Sequence, residues 1–137
     1  MADEIDLMQL TGGSDEEVAE KIRGSGTGGV LDAVFAGMQQ RFQPDRAAGV
    51  DAKAQWLVSD AGEEHPYVIT VKDGACEIEP GRAESPRVTL STDVASYAKL
   101  MAGRVPGPAL YMSGKLQIQG DLMLAQRMTT FFAPYQA

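Results

Sequence analysis

Apolar and polar positions along this chain fall into short blocks with two different periods. Leu31, Val34, Phe35, Met38 and Phe42 recur at helical spacing and mark one face of a helix that Pro44 ends. Two-residue alternation follows. Residues 52–59 alternate through Ala54, Trp56 and Val58, and residues 67–72 through Tyr67, Ile69 and Val71, which predicts two half-buried strands. Asp73 and Gly74 form a two-residue hairpin signal leading to a third strand through Cys76 and Ile78, with Glu77 and Glu79 on its solvent side. Val88 and Leu90 mark a fourth strand between Pro86 and the Ser91-Thr92 pair. Asp93 then falls in the first turn of a helix whose Val94, Tyr97, Ala98 and Met101 share a face, with Gly103 as its stop. Pro108 suits the first turn of a short helix through Leu110 and Met112.

The stretch YMSGKLQIQGDLML, residues 111–124, carries the strongest departure from ordinary patterning. Its strand sets Leu116 and Ile118 on one face against Lys115, Gln117 and Gln119 on the other. Gly120 turns the chain, and Asp121 fits the N-cap of a last helix. In that helix Leu122, Met123, Leu124, Ala125, Met128, Phe131 and Phe132 leave a polar stripe only at Gln126, Arg127 and Thr130. A surface helix usually needs an apolar arc of roughly 100°. The surplus is expected to meet a ligand, a partner subunit or more core.

At the other end, Ser14 and Glu17 form a capping-box signature for a short helix with Val18 and Ile22 on one face and Gly24 as its stop. The run GSGTGG at residues 24–29 formally satisfies G-x-G-x-x-G. A dinucleotide fingerprint needs a strand before it, and an acidic helix stands there instead, so the run reads as a flexible linker. The order of elements predicts an α+β fold, a mostly antiparallel sheet covered on one side by helices.

With 137 residues, 44% of them hydrophobic, the chain suffices for one globular domain. No run of 18 apolar residues would span a bilayer, and the acidic start MADEIDLMQL lacks a secretory signal's features, so a cytoplasmic location is expected. Charge is uneven: residues 1–23 hold seven acids against Lys21 and Arg23, or −5 of the net −7. An acidic chain without a basic stripe does not suit nucleic acid or an anionic membrane. Residues 1–26 therefore read as an acidic leader, and residues 27–137 as the domain proper.

Candidate catalytic groups are few. His65, the one histidine, sits among Glu63, Glu64 and Pro66 in what reads as a solvated polar turn. With Cys76 as the lone cysteine, no zinc set can be assembled from these two residue types, and no G-x-S-x-G elbow surrounds any serine. Neither enzyme activity, metal nor cofactor is expected. Methionine suits a surface that repacks around varied apolar shapes, and Met38, Met101, Met112, Met123 and Met128 all fall on predicted helices or their ends. Small Ala52 and Ala54 on the facing strand leave space beneath them.

From Val30 to Phe132 the chain resembles the sterol carrier protein 2 (SCP2) sterol-binding domain family. QRFQPDRAAGVDA (40–52), ITVKDGACEIEPG (69–81), PRVTLSTDVASYAKLMAGR (86–104) and YMSGKLQIQGD (111–121) match segments of the family pattern in its order. The resemblance implies a five-stranded sheet with an apolar tunnel between sheet and helices that holds a lipid, fatty acid, acyl-CoA or sterol. Such members act as carriers without catalytic residues. Similar domains fused to enzymes instead supply apolar surface or subunit contacts, which makes an accessory or dimerisation module the alternative, with a homodimer or a partner enzyme as its company. The ending Tyr-Gln-Ala lacks the peroxisomal signal common in eukaryotic members. Expected cavity residues are Phe35 and Met38 on the first long helix, Trp56 and Ile69 on the strands, Tyr97, Met101, Leu110 and Met112 on the middle helices, Ile118 on the last strand, and Leu122, Met123, Met128, Phe131 and Phe132 at the C-terminal end.

Overall fold

A computed structural model describes residues 7–133; Asp3, Glu4 and Asp6 of the acidic leader and the terminal Tyr-Gln-Ala lie outside the described residues. Ser14 caps α2 (Asp15–Ser25) as its sequence predicts: its hydroxyl accepts from Glu17 N–H, and the Glu17 carboxylate accepts from Ser14 N–H. Ahead of it lies one turn of helix, α1 (Leu7–Leu10), which four residues of pattern are too short to announce. The glycine run does not form a linker. Gly24 and Ser25 finish α2, Gly26 alone turns the chain at φ 93°, and Thr27 already begins α3 (Thr27–Gln40). Glycine is a poor helix former, but the burial of Val30, Leu31, Val34, Phe35 and Met38 on α3 overrides that local preference. A 3-10 turn, Pro44–Ala47, follows.

The sheet begins with a meander of β1 (Ala52–Asp60), β2 (Glu63–Lys72) and β3 (Ala75–Pro80). Both hairpins turn on two residues with positive φ, Asp73-Gly74 as expected and Ala61-Gly62 in addition. Because the first turn is so tight, β2 starts earlier than its hydrophobic alternation indicates. His65 is therefore a strand residue paired with Val58 and only partly exposed, rather than part of a solvated turn. The chain then crosses the sheet to β4 (Val88–Asp93), which lies parallel to β1, and β5 (Leu116–Gly120) closes the order β3-β2-β1-β4-β5. Only the β1–β4 pair is parallel, so the sheet is mostly antiparallel as predicted. Gly120, at φ 106°, must be glycine: a Cβ there would sit 2.5 Å from the Arg87 carbonyl oxygen.

Helices cover one face, with α4 (Val94–Met101) and α6 (Leu122–Met128) on the sheet and α5 (Gly107–Met112) leading into β5. Asp93 and Asp121 cap α4 and α6 through bonds from Ser96 N–H and Leu124 N–H. On the opposite face Gln55 is buried by the β3–β4 connection. Its amide donates to Tyr67 O and Gly81 O, and its oxygen accepts from Ala83 N–H, which fixes the connection to the sheet. The core includes Leu7, Val18 and Ile22 from the leader, each at most 3% exposed. Arg23 and Thr27 both bond the buried Asp60 carboxylate at the end of β1, joining α2 and α3 to the sheet.

Candidate functional site between the sheet and helix α6

Alternation in β1 and β2 aims Ala52, Ala54, Trp56 and Val58, with their partners Val71, Ile69, Tyr67 and His65, at the helices. Over the middle of this face α3 and α4 set Phe35 and Tyr97 against Trp56 and Tyr67. Phe35 stacks on Tyr67 and Tyr97 with centroids 4.1 and 4.8 Å apart, and Trp56 meets Tyr97 edge-on at 5.3 Å. Tyr67 donates to the Asp32 carboxylate. Trp56 Nε1 and Tyr97 Oη are buried without a hydrogen-bond partner among the described residues. Burial holds the Tyr97 phenol well above its ordinary pKa, and burial together with the bond to Asp32 does the same for Tyr67, so both stay neutral.

Beside this cluster the start of β1 passes under α6, and there the packing is incomplete. Val50, Ala52, Ala54, Ile69, Val71, Leu124, Met128 and Phe131 surround a void of about 10 Å³. Its lining is entirely apolar. A void of that size holds about one water molecule, whereas pockets for small ligands run to roughly 300–1,000 Å³. Uptake of a long apolar molecule therefore requires the roof to lift. That roof is slight, since α6 spans 7 residues and ends at Met128, short of the helix through Phe132 that its apolar pattern predicts. Thr129 and Thr130 end it by donating their hydroxyls back to Gln126 O and Arg127 O. Beyond them Phe131 O accepts from Gln43 N–H, Phe132 bridges to Phe42, and Phe131 is fully buried against Phe42.

The residues expected at a cavity separate into three groups. Ile69, Met128 and Phe131 line the void, and Phe35, Trp56 and Tyr97 form the neighbouring aromatic cluster. Met38 and Leu110 are buried elsewhere in the core, while Met101, Ile118 and Phe132 are half-buried against it. Met112, Met123 and Leu122 are exposed by 85%, 77% and 46%, so these three lie on the surface and not within an interior site. Helix geometry explains the last two: α6 buries Leu124, Ala125 and Met128, which leaves the preceding pair facing outward. Val50, Val71 and Leu124 line the void without having been singled out, because a void is a property of several elements together. Cys76 is buried on β3, and that burial pushes its thiol up to about 11. Among the described residues no group of three or more His, Cys, Asp or Glu side chains could hold a metal ion. No helix among them is long and apolar enough to cross a membrane.

The model of the SCP-2 sterol transfer family matches residues 33–133. This chain belongs to that family. A search of curated protein sequences finds no match. Among solved structures, the SCP-2 fold recurs in the inverting sec-alkylsulfatase Pisa1 from Pseudomonas sp., at TM-score 0.68 and 18% identity over 77% of this chain and 17% of the sulfatase. Palmitated SCP2L2 from Aedes aegypti aligns at TM-score 0.62 and 16% identity, covering 76% of this chain and 96% of that one. The ubiquinone synthesis protein UbiJ-SCP2 follows at TM-score 0.57 and 16% identity, with 74% and 95% covered. At these identities the likeness is one of fold. This chain spans only about a sixth of the length of the alkylsulfatase. The family match begins within α3, so α1 and α2 lie outside it.

Proposed function

We propose that this SCP-2 domain is a non-catalytic carrier that takes a fatty acid, acyl-CoA or sterol type of ligand between its sheet and α6. The observation that carries the reading is the all-apolar void beneath a short helix whose outer side is already exposed. No acid, base or nucleophile lines it. The palmitated state of the Aedes aegypti relative favours a fatty acyl chain. Burying about sixteen methylenes contributes on the order of 13 kcal/mol gross, and immobilising a ligand costs an estimated 4–15 kcal/mol. The modest remainder suits reversible loading.

Trp56 offers the test, being the single tryptophan and lying beside the void on the same face of β1 as Ala54. Titration with palmitate is expected to change its emission, with bound fatty acid confirmed by native mass spectrometry. Unchanged emission with no bound mass at saturating palmitate rejects the carrier reading.

One observation favours a second reading, an accessory module for a partner enzyme. Tyr111 and Met112 on α5 and Leu122 and Met123 on α6 flank β5 with exposed apolar side chains. The sulfatase neighbour has such a domain within a larger chain. Native mass spectrometry distinguishes the two readings, because a protein that purifies empty of lipid but in a stable complex supports the module.

A further inference from the structure

A second, larger cavity lies away from the apolar void and has a different chemistry. It encloses about 300 Å³ between the leader and the α4–α5 region, lined by Thr11, Gly13, Asp15, Ser96, Lys99, Arg104, Val105, Leu110 and Lys115. Three cations face one acid there, in a chain whose net charge is −7. Asp15 bridges the two lysines, at 2.6 Å to Lys99 Nζ and 2.8 Å to Lys115 Nζ. Arg104 spends Nε on the Thr11 hydroxyl and Nη2 on Met8 O, which leaves Nη1 without a partner among the described residues. Lys99 is held by its surroundings, its side chain being 20% exposed.

We propose that this recess is a binding site for a phosphate group, in which the Asp15 carboxylate occupies the place of the anion until a ligand displaces it. The chemistry follows from donor count. Two ammonium groups and a guanidinium present more charge and more N–H donors than one carboxylate satisfies, and a tetrahedral dianion with several acceptor oxygens fits that surplus. Local charge favours it as well, since exchanging the Asp15 carboxylate for a dianion offsets more of the charge on Lys99, Arg104 and Lys115 than the carboxylate does. α1, α2 and the turn between them supply the Met8 carbonyl, Asp15 and Thr11, so the site is built partly by the segment outside the family match. The proposal does not depend on what fills the apolar void.

The test follows backbone amide shifts of Gly13, Lys99 and Arg104 in the full-length protein during titration with inorganic phosphate, lysophosphatidate below its micelle concentration, and coenzyme A. Binding at millimolar phosphate or tighter is expected. Lys115→Gln should weaken it about tenfold, the worth of one charge-assisted hydrogen bond. Asp15→Asn should tighten it by removing the internal competitor, an outcome that loss of folding cannot mimic. Lysophosphatidate binding more tightly than inorganic phosphate assigns a lipid headgroup as the source, and equal affinity assigns free phosphate; either supports the site. Absence of shifts with all three ligands in both wild type and Asp15→Asn overturns it, as does binding that Lys115→Gln leaves unchanged.

Discussion

Phe131 shows how one side chain closes the apolar site. It lies fully buried, it lines the void, and its carbonyl is tied to Gln43 N–H. Replacing a buried phenylalanine by alanine typically costs about 3–5 kcal/mol, part of it for the cavity left behind. Phe131→Ala should therefore lower the melting temperature substantially while enlarging the void. If the void is the ligand site, saturating palmitate should raise the melting temperature of Phe131→Ala more than that of the wild type, because ligand fills space that the wild type fills with its own ring. An equal or smaller increment, read by differential scanning calorimetry, would place the ligand elsewhere.

Among elements, α1 and α2 changed most between pattern and structure. Their acidic surface and the glycine run behind them suggest a detachable leader. Yet Leu7, Val18 and Ile22 are core residues, Arg23 reaches Asp60, and Asp15 reaches Lys99 and Lys115. Three buried aliphatic side chains contribute on the order of 1.5–3 kcal/mol each, which is comparable with the whole stability of a domain, about 5–15 kcal/mol. Deleting residues 1–26 is thus expected to broaden or abolish the cooperative thermal transition, and a truncated chain that melts like the full one would show the leader to be dispensable. At the other end α6 is the element best suited to move. It is short, and Leu122, Met123, Gln126 and Arg127 on it face outward.

For the molecule as a whole, ionisation limits stability at both ends of the pH scale. Bonds from Lys115 and Lys99 hold the Asp15 carboxyl below its ordinary pKa, and bonds with Ser14 do the same for Glu17. A depressed folded-state pKa adds stability above the unfolded value, and that stability is lost as pH falls through the folded one. Tyr67 and Tyr97 act at the alkaline end, because their phenols stay neutral in the fold while those of the unfolded chain ionise near pH 10. Stability is then lost as pH rises above that value. The melting temperature should be flat around neutrality, fall below about pH 4, and fall again above about pH 10. Asp15→Asn should reduce the acid-side fall; an acid limb that it leaves unaltered would show that other carboxylates dominate.

Local rules in the sequence determined a great deal of this protein. Period-two alternation predicts which faces of β1 and β2 are buried, the Asp73-Gly74 pair predicts its hairpin, and the Ser14–Glu17 and Asp121 caps predict two helix starts, because each depends on a few adjacent residues. Family membership was legible as well, through four motif segments in order. Tertiary structure alone decided the rest. Ala61-Gly62 extends β2 to include His65, and long-range burial draws Gly28 and Gly29 into α3. Of the interior site, Ala52 and Ala54 could be singled out as small residues, but the outward turn of Leu122 and Met123 and the closure by Phe131 depend on how α6 docks. The basic recess is the clearest case. Asp15 and Lys115 lie 100 positions apart, and no local pattern records that they meet, since the contact exists only once the leader has packed on α4.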